Sequence, residues 1–319
     1  MREWRDAVTD PTELLRLLGL PADAVTLRDG AAPFPLRVPR AYVARMRRGD
    51  RDDPLLRQVL PLAAEDAPVP GYGTDAVGDL DARAATGVLH KYDGRALLVA
   101  TGSCAVHCRY CFRRHFPYDE DTAARNGWRD AIDWLRGNAG VSELILSGGD
   151  PWSLATHKLA ELTAGLGDIP HLRRLRVHTR LPVVLPARVD EELLAWVRSL
   201  PVPLVVVVHA NHAAELDADV DAALARLRDA GATLLNQSVL LRGVNDDADA
   251  LVALSERLID AGVLPYYLHL LDRVAGTAHF DVDDARGRSL VQEMRERLPG
   301  YLVPQLVREV PGAASKTPA

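Results

Sequence analysis

Apolar positions recur at helical spacing through the N-terminal part of the chain. Asp10 and Pro11 stand where the first apolar periodicity begins, which is the pattern of an N-capped helix with proline in its first turn. The next two periodic stretches predict two more helices, and the proline- and glycine-rich stretch after them indicates a linker or an extended arm. These four segments lie at 10–20, 39–48, 52–62 and 67–79.

From residue 95 onward, short apolar runs alternate with stretches of helical periodicity. The runs are rich in valine and leucine, as buried strands are, and each is followed by a longer amphipathic stretch. Gly231 and Gly262 are expected to end two of the helices. The predicted strands lie at 95–101, 143–147, 172–179, 204–210, 233–238 and 265–271, and the predicted helices at 128–138, 157–166, 189–200, 219–231, 247–262 and 283–298.

Strand–helix units in direct succession require a parallel sheet, because each helix must return the chain to the start of the next strand. Six units are too few for a closed eight-fold barrel. The expected fold is therefore an α/β partial (β/α)6 TIM-like barrel, with a doubly wound open sheet as the alternative. We expect an N-terminal helical segment and linker at 1–80, the barrel core at 81–300 and a C-terminal segment at 301–319.

Polar or glycine-rich residues follow every predicted strand. A polar loop explains any one of these strand ends, but the carboxyl ends of parallel strands share one edge, so the whole set favours a common cleft. In strand order, these residues are Cys104, Cys108 and Cys111; Ser147, Gly148, Gly149 and Asp150; His178, Thr179 and Arg180; His209, Asn211 and His212; Asn236, Gln237 and Ser238; and Asp272.

The composition is that of a globular protein, with 48% hydrophobic and 26% charged residues among 319. A formal net charge of -6 argues against a nucleic-acid partner held by bulk charge. No apolar run is long enough to predict a membrane span, and the charged N-terminus lacks the apolar core of a signal peptide. We therefore expect a cytoplasmic enzyme with no nucleic-acid or membrane partner.

The three cysteines of the chain, Cys104, Cys108 and Cys111, all follow the first predicted strand. An odd number of closely spaced cysteines is a poor disulfide framework. Iron–sulfur clusters usually have four thiolate ligands, so three would leave one iron open to bind and activate a small molecule. The alternatives are a zinc site completed by His107 or His115, or reduced thiols in the core. The tight spacing directly after a strand favours the cluster.

The Cys-x3-Cys-x2-Cys spacing resembles the cluster motif of radical S-adenosylmethionine (SAM) enzymes. Longer segments in the same order are similar to the lysine 2,3-aminomutase family of these enzymes. The resemblance covers the chain from about residue 54 onward, and is greatest to members that make (R)-β-lysine for elongation factor P. The segments are VLHKYDGRALL, TGSCAVHCRYCFRRHFPY, LSGGDP, HTRLPVVLPARV, LLNQSVLLRGVND, PYYLHLLD, GYLVPQL and SKTP.

The resemblance implies that the three cysteines hold a [4Fe–4S] cluster and that SAM binds the open iron. The glycine-rich turn after the second predicted strand would contact SAM, since glycine lets the backbone approach a ligand closely. Tyr110 would lie near the adenine. The SAM-binding residues implied in this way are Tyr110, Ser147, Gly148, Gly149, Asp150, His209 and Gln237.

The resemblance also implies a second cofactor, pyridoxal 5′-phosphate (PLP). Lys316 would supply the amine for the Schiff base with PLP, although alanines and a serine precede it where relatives often have glycine. The alternative is a surface lysine on a frayed tail. Lys91, Tyr92 and Arg95 match the stretch that binds the PLP phosphate. Lys91 keeps the charge of a frequent arginine there but lacks its bidentate fork.

Three more residues are implied to bind the substrate. Arg113 matches the arginine that pairs with the substrate carboxylate, for which its forked donors are suited. Asp272 and Glu309 match the acidic pair around the side-chain ammonium of lysine, since a buried lone charge is costly. Glu309 departs from the usual aspartate of the family by one methylene.

The resemblance thus implies an isomerase that moves the amino group of L-lysine from Cα to Cβ by radical chemistry, giving (R)-β-lysine for elongation factor P. A catabolic lysine 2,3-aminomutase acting on free lysine is the closest alternative. A non-catalytic Fe–S redox sensor is a third. The expected partners are L-lysine, an electron donor such as flavodoxin or ferredoxin, a functional link to an elongation factor P lysyl ligase, and a second copy of the chain in a homo-oligomer.

Overall fold

All six predicted strands are present in the computed structural model, which describes residues 2–28 and 34–319. They belong to a sheet that has ten strands in the described part of the chain. The four strands that the sequence analysis did not predict lie at its two edges. The strands are β1 (Arg83–Ala85), β2 (Val88–Tyr92), β3 (Arg95–Thr101), β4 (Glu143–Gly148), β5 (Arg174–Thr179), β6 (Leu204–Val208), β7 (Thr233–Val239), β8 (Leu264–His269), β9 (Gln305–Arg308) and β10 (Thr317–Pro318).

The strands lie in the sheet in the order in which they follow along the chain. From β3 to β9 every neighbouring pair is parallel, whereas β1, β2 and β10 add antiparallel edges. A doubly wound sheet reverses its strand order at a switch point, and this sheet does not. The partial-barrel prediction is therefore confirmed, and the doubly wound alternative is wrong.

The predicted barrel helices are also present, and most begin at an aspartate whose side chain accepts a backbone N–H. Asp217 and Asp247 accept from the third helical residue of α9 and α10 at 3.0 and 2.8 Å. Gly231 and Gly262 follow the ends of these helices with positive φ, as predicted. The helices are α1 (Arg2–Arg5), α2 (Pro11–Leu17), α3 (Arg40–Val43), α4 (Pro54–Arg57), α5 (Arg129–Gly137), α6 (Thr156–Ala164), α7 (Leu181–Val184), α8 (Glu191–Ser199), α9 (Ala218–Asp229), α10 (Ala248–Asp260) and α11 (Asp284–Arg297).

The helices of the N-terminal segment are shorter than predicted. Asp10 caps α2 as expected, but the predictions at 39–48 and 52–62 are wrong in extent, because α3 and α4 each have four residues. The apolar residues beyond α4, Val59 and Leu60, are buried in a turn rather than in a helix. Their periodicity reflects burial against the barrel, which a helix and a compact turn can both achieve.

The N-terminal segment packs on the barrel and shares its core. Leu14, Leu15 and Tyr42 belong to the same buried apolar cluster as the barrel residue Val206. Arg45, which lies directly after this segment's third helix, donates to Val183 O at 2.6 Å. The segment therefore supports the loops at the carboxyl ends of the strands. Among the described residues, no helix is long and apolar enough to cross a membrane.

Candidate active site

A cavity of about 320 Å³ opens at the carboxyl ends of the parallel strands. Cysteine, glycine-rich, acidic and basic residues from all six predicted strand ends line it, so the strands do share one cleft. The expectation is wrong for Asn211, His212, Asn236 and Ser238, which do not line it; Asn211 and Asn236 instead bond to neighbouring loops and strands. Every residue that the resemblance implied lines this cavity. They are Lys91, Tyr92, Arg95, Cys104, Cys108, Tyr110, Cys111, Arg113, Ser147, Gly148, Gly149, Asp150, His209, Gln237, Asp272, Glu309 and Lys316.

The three cysteines are free thiols on the loop that follows β3. Cys111 N donates to Cys108 O at 3.0 Å, so a tight turn brings these two residues together. Cysteine ligands of a four-iron cluster each bind a separate iron, and three partly buried thiols around one cavity suit that arrangement.

The two histidines considered for a zinc site are engaged with backbone carbonyls. His107 Nδ1 lies 2.8 Å from Pro35 O, and His115 Nε2 lies 3.1 Å from Ala275 O. Within residues 2–28 and 34–319, no three His, Cys, Asp or Glu side chains are grouped so that they could hold a single metal ion.

A buried ion cluster that the sequence analysis missed holds the cysteine loop in place. Glu65 accepts from Arg109 Nε at 2.7 Å and from Arg114 at 2.6 Å, and the Glu65 and Arg109 side chains are fully buried. Arg109 lies between two of the cysteines, and its backbone N–H donates to Gln58 O at 2.8 Å. The N-terminal segment thus fixes the loop through both charge and backbone contacts.

The glycine-rich turn after β4 packs directly against the cysteine loop. Gly149 N donates to Thr101 O at 2.6 Å, and a Cβ on Gly149 would lie 2.5 Å from Ser103 O. Only glycine allows this close approach of two backbones. The Asp150 carboxylate, in turn, accepts from Arg180 N at 2.7 Å and so fixes the loop after β5.

Lys316 lies over the cavity because β10 pairs with β9. Its Nζ donates to Glu309 Oε2 at 2.8 Å, and Tyr92 donates its hydroxyl to the other oxygen at 2.6 Å. Although burial opposes ionisation, the charge of Lys316 lowers the pKa of Glu309. Asp272 is the second half-buried carboxyl here, and burial raises its pKa to about 7 against the opposing effect of Lys316. Strand pairing therefore contradicts the frayed-tail alternative for this lysine.

Asp79, which the sequence analysis assigned to the linker, joins two of the predicted ligand-binding cations. Its Oδ1 lies 2.6 Å from Lys91 Nζ, and its Oδ2 accepts from Arg113 Nε at 2.6 Å. Arg113 also donates to Ser147 Oγ at 3.0 Å. Burial works against ionisation of Asp79, but the charges of Arg113 and Lys91 outweigh it and lower the pKa. The last residue of the stretch 67–79 therefore contacts two residues that line the cavity.

Neutral imidazoles also line the cavity. His209 Nε2 lies 2.9 Å from the Tyr110 hydroxyl, and burial, aided by Arg180, lowers the pKa of His209 to about 3. His178 and His269 line the same cavity, and the Nε2 atom of each is buried with no hydrogen-bond partner in the protein. Buried polar atoms of this kind normally have a partner, so these two point to a polar ligand in the cavity.

Comparison with solved structures defines the class of the fold. The chain is similar to a radical SAM methyltransferase from Sphaerobacter thermophilus, with a TM-score of 0.50, 17% sequence identity, and 69% of this chain and 68% of that chain covered. The strand order and this likeness together define a radical SAM type of partial barrel. No protein-family model matches the chain.

Comparison with curated proteins then gives the family. The chain is 49% identical to L-lysine 2,3-aminomutase of Escherichia coli K12 over 320 residues. This match covers 100% of this chain and 93% of that protein. It is 44% identical to the protein of the same name from Haemophilus influenzae, over 98% of this chain and 93% of the relative. The namesake from Clostridium subterminale is 34% identical over 87% of this chain and 67% of its own length. The chain belongs to the L-lysine 2,3-aminomutase family.

Proposed function

We propose that this chain is an L-lysine 2,3-aminomutase, an isomerase that converts L-lysine to β-lysine with a [4Fe–4S] cluster, SAM and PLP. The observation that carries the proposal is a single cavity that joins the three-cysteine loop to Lys316 and to two half-buried carboxyls, Asp272 and Glu309. The names of relatives up to 49% identical support the same reaction. A redox sensor would need the cysteines but neither the lysine nor the acidic pair.

The residues present fit the three cofactors. Cys104, Cys108 and Cys111 would hold the cluster, and the exposed backbone of Gly148 and Gly149 would receive SAM beside it. The Tyr110–His209 pair adds polar and aromatic surface for SAM. The unpartnered imidazoles of His178 and His269 would meet a bound ligand in the same cavity. When bound, the cluster and SAM supply the radical that removes a hydrogen from the substrate, and PLP supplies a conjugated system for the migrating nitrogen.

PLP would be held at the other end of the cavity. Lys316 offers the amine that attaches it, and Lys91, Tyr92 and Arg95 line that end. Arg95 lies with its guanidinium 4.5 Å from the centre of the Tyr92 ring, which orients the cation along one wall. A phosphate among these residues would meet two positive charges.

The substrate would be bound through its two charged ends. One edge of the Arg113 guanidinium is held by Asp79 and Ser147, which orients the group for the substrate carboxylate. Asp272 and Glu309 would receive the side-chain ammonium. Glu309 pairs with the Lys316 ammonium at 2.8 Å in this structure, so it is positioned to bind an alkylammonium group. With Lys316 committed to holding PLP, Glu309 would be free to pair with the substrate ammonium instead.

Replacing Gly149 by alanine is expected to disturb cluster and SAM binding together. The added Cβ would lie 2.5 Å from Ser103 O, so the cysteine loop must move away from the glycine-rich turn. We expect at least an approximately tenfold weaker SAM affinity, which corresponds to about 1.4 kcal/mol, and less iron and sulfide per chain. Gly140→Ala, at an exposed glycine with open space around it, is the matched control. Equal SAM affinity in both variants would contradict the proposed close approach.

The activity is expected to rise with pH through neutrality because of Asp272. Burial raises the pKa of this carboxyl to about 7, so it is protonated below that pH and binds an ammonium only above it. The charged fraction increases about tenfold between pH 6 and pH 8 for a pKa of 7, and kcat/KM for lysine should follow it. Asp272→Asn should abolish this rise and lower kcat/KM at pH 8. An unchanged pH profile in the variant would assign the titration to another group.

Anaerobic reconstitution with iron, sulfide, PLP, SAM, a reductant and L-lysine tests the function directly. Formation of β-lysine supports the proposal, whereas an intact cluster without turnover would favour the redox sensor. Glu309→Gln and exposed Glu293→Gln form a pair in which only the first should impair lysine binding. The proposal would be overturned if neither the wild-type chain nor the Glu293 variant formed β-lysine while both held an intact cluster.

We further propose that the product is (R)-β-lysine for elongation factor P, as in the EpmB-type members of the family. Chiral analysis of the product separates the alternatives: the (R) form supports this role, and the (S) form would favour a catabolic aminomutase. A functional link to an elongation factor P lysyl ligase, an electron donor such as flavodoxin or ferredoxin, a homo-oligomer and a cytoplasmic location belong to the same proposal.

A further inference from the structure

Arg180 lies in the cavity wall in direct contact with one of the cluster cysteines. It follows β5, and its Nη1 atom is 2.8 Å from Cys108 Sγ. The side chain is only 6% exposed, so water screens this contact weakly. A guanidinium in this position places a full positive charge and an N–H donor against a sulfur atom that would bind the cluster.

A buried polar network fixes the guanidinium. Its Nη2 atom donates to Gln58 Oε1 at 2.6 Å, to Glu215 Oε2 at 2.8 Å and to the Tyr42 hydroxyl at 3.0 Å. The Glu215 side chain is fully buried and also accepts from Asn211 N at 2.8 Å. These contacts come from the N-terminal segment and from the loop after β6. They hold the arginine from the side opposite to the cysteine.

The backbone of Arg180 is fixed independently of these side-chain contacts. Its N–H donates to Asp150 Oδ2 at 2.7 Å, and the same oxygen accepts from Leu181 N at 3.2 Å. Thr179 donates its hydroxyl to Asp150 Oδ1 at 2.7 Å. A substitution of the Arg180 side chain therefore leaves the loop attached to the glycine-rich turn.

We propose that Arg180 is a positioning residue that raises the reduction potential of the [4Fe–4S] cluster by donating to the Cys108 thiolate. The inference rests on the cluster of the proposed function. One-electron reduction adds a negative charge to the cluster, and a nearby cation with an N–H···S contact stabilises the reduced form more than the oxidised form. Glu215 holds the arginine and opposes part of its charge from a greater distance.

A purely structural role for Arg180 would be to neutralise Glu215. The double variant Arg180→Met/Glu215→Gln distinguishes the two roles, because it removes both charges and leaves no buried charge without a partner. Under the structural role, the double variant would keep the wild-type potential. Under our proposal its potential is lower, since the lost cation touches the cysteine and the lost anion does not.

The experiment is a redox titration of the anaerobically reconstituted protein, followed by electron paramagnetic resonance without SAM, PLP or lysine. For Arg180→Met/Glu215→Gln, we expect the redox equilibrium to shift at least tenfold toward the oxidised cluster, which is about 59 mV for one electron. Arg180→Lys keeps the charge but loses the fork and should shift the potential less in the same direction. Arg176→Gln alters a cavity arginine that pairs with Glu143 and should leave the potential unchanged.

Iron and sulfide content must match the wild type in each variant that is compared. A wild-type potential in the double variant would overturn the proposal. If that variant assembles no cluster, Arg180→Lys decides instead, and an unchanged potential there would also overturn it. Because no substrate is present, the result is independent of aminomutase activity. A lowered potential in a protein without turnover would support the role of Arg180 while the proposed function fails.

Discussion

Replacing Lys316 by alanine is expected to abolish β-lysine formation, with a loss of more than about 10³-fold in kcat, and to leave the [4Fe–4S] cluster intact. The reason is that the variant lacks an amine for the Schiff base. Among the described lysines, Lys91 alone would still line the cavity, and it is paired with Asp79. PLP would lose its covalent attachment. The measurements are the Schiff-base absorbance of the purified protein, its iron and sulfide content, and turnover with lysine.

Lys316→Arg is the control that separates charge from covalent chemistry. An arginine keeps a positive charge for Glu309, which accepts from Lys316 at 2.8 Å, but its guanidinium does not form a Schiff base under these conditions. We therefore expect near-normal stability without the absorbance in this variant. Lys158→Ala, at a half-exposed lysine on α6, should change neither property. Retention of the absorbance in both Lys316 variants would show that PLP is attached to another amine.

The sequence predicted the parallel part of the barrel well because its strands are continuous apolar runs. All six predicted strands agree with the observed ones to within two residues at either end. The edge strands were missed because their patterns are short and mixed. β10 has only two residues, and β2 ends in the polar pair Lys91 and Tyr92. Their pairing depends on neighbours distant in sequence, which no local pattern reports.

The candidate site was predicted in part, for a similar physical reason. The cysteine spacing and the residues that follow apolar strands are local signals, and most of them line the cavity. The exceptions are Asn211, His212, Asn236 and Ser238. Glu65 and Asp79 were missed because their roles depend on partners 12 to 49 positions away along the chain. The one available signal was an acidic residue inside a proline- and glycine-rich stretch, Asp79 beside Gly78, which also suits an ordinary loop. Ion pairs between distant segments require the fold to be known.

Replacing Asp79 should therefore show most clearly how much these long-range ion pairs contribute to stability. Its carboxylate is 3% exposed and neutralises both Arg113 and Lys91, each at 2.6 Å. Removing one partner of a buried pair leaves an uncompensated charge and destabilises proteins by about 3–5 kcal/mol. For Asp79→Ala we expect a decrease of about that size in the free energy of unfolding, measured by denaturant titration of the apoprotein.

The pH dependence of stability provides a second test of the same ion cluster. The folded-state pKa of Asp79 is lowered, because the two cations outweigh the effect of burial. Its contribution is therefore fully present above the unfolded-state pKa of about 3.9 and is lost as pH falls through the folded-state value. The difference in unfolding free energy between wild type and Asp79→Ala should be constant near neutrality and decrease in acid.

The substrate-binding role of Asp79 can be separated from its effect on stability. Asp79→Asn keeps the shape and one acceptor, so it should fold better than Asp79→Ala while leaving Arg113 less firmly oriented. We expect KM for lysine to rise by at least about tenfold in Asp79→Asn, with a smaller change in kcat. Asp249→Asn removes an 88% exposed partner of Arg297 and should cost less than about 1 kcal/mol without affecting KM. If Asp79→Asn matched this control in both stability and KM, Asp79 would neither stabilise the two cations nor orient Arg113.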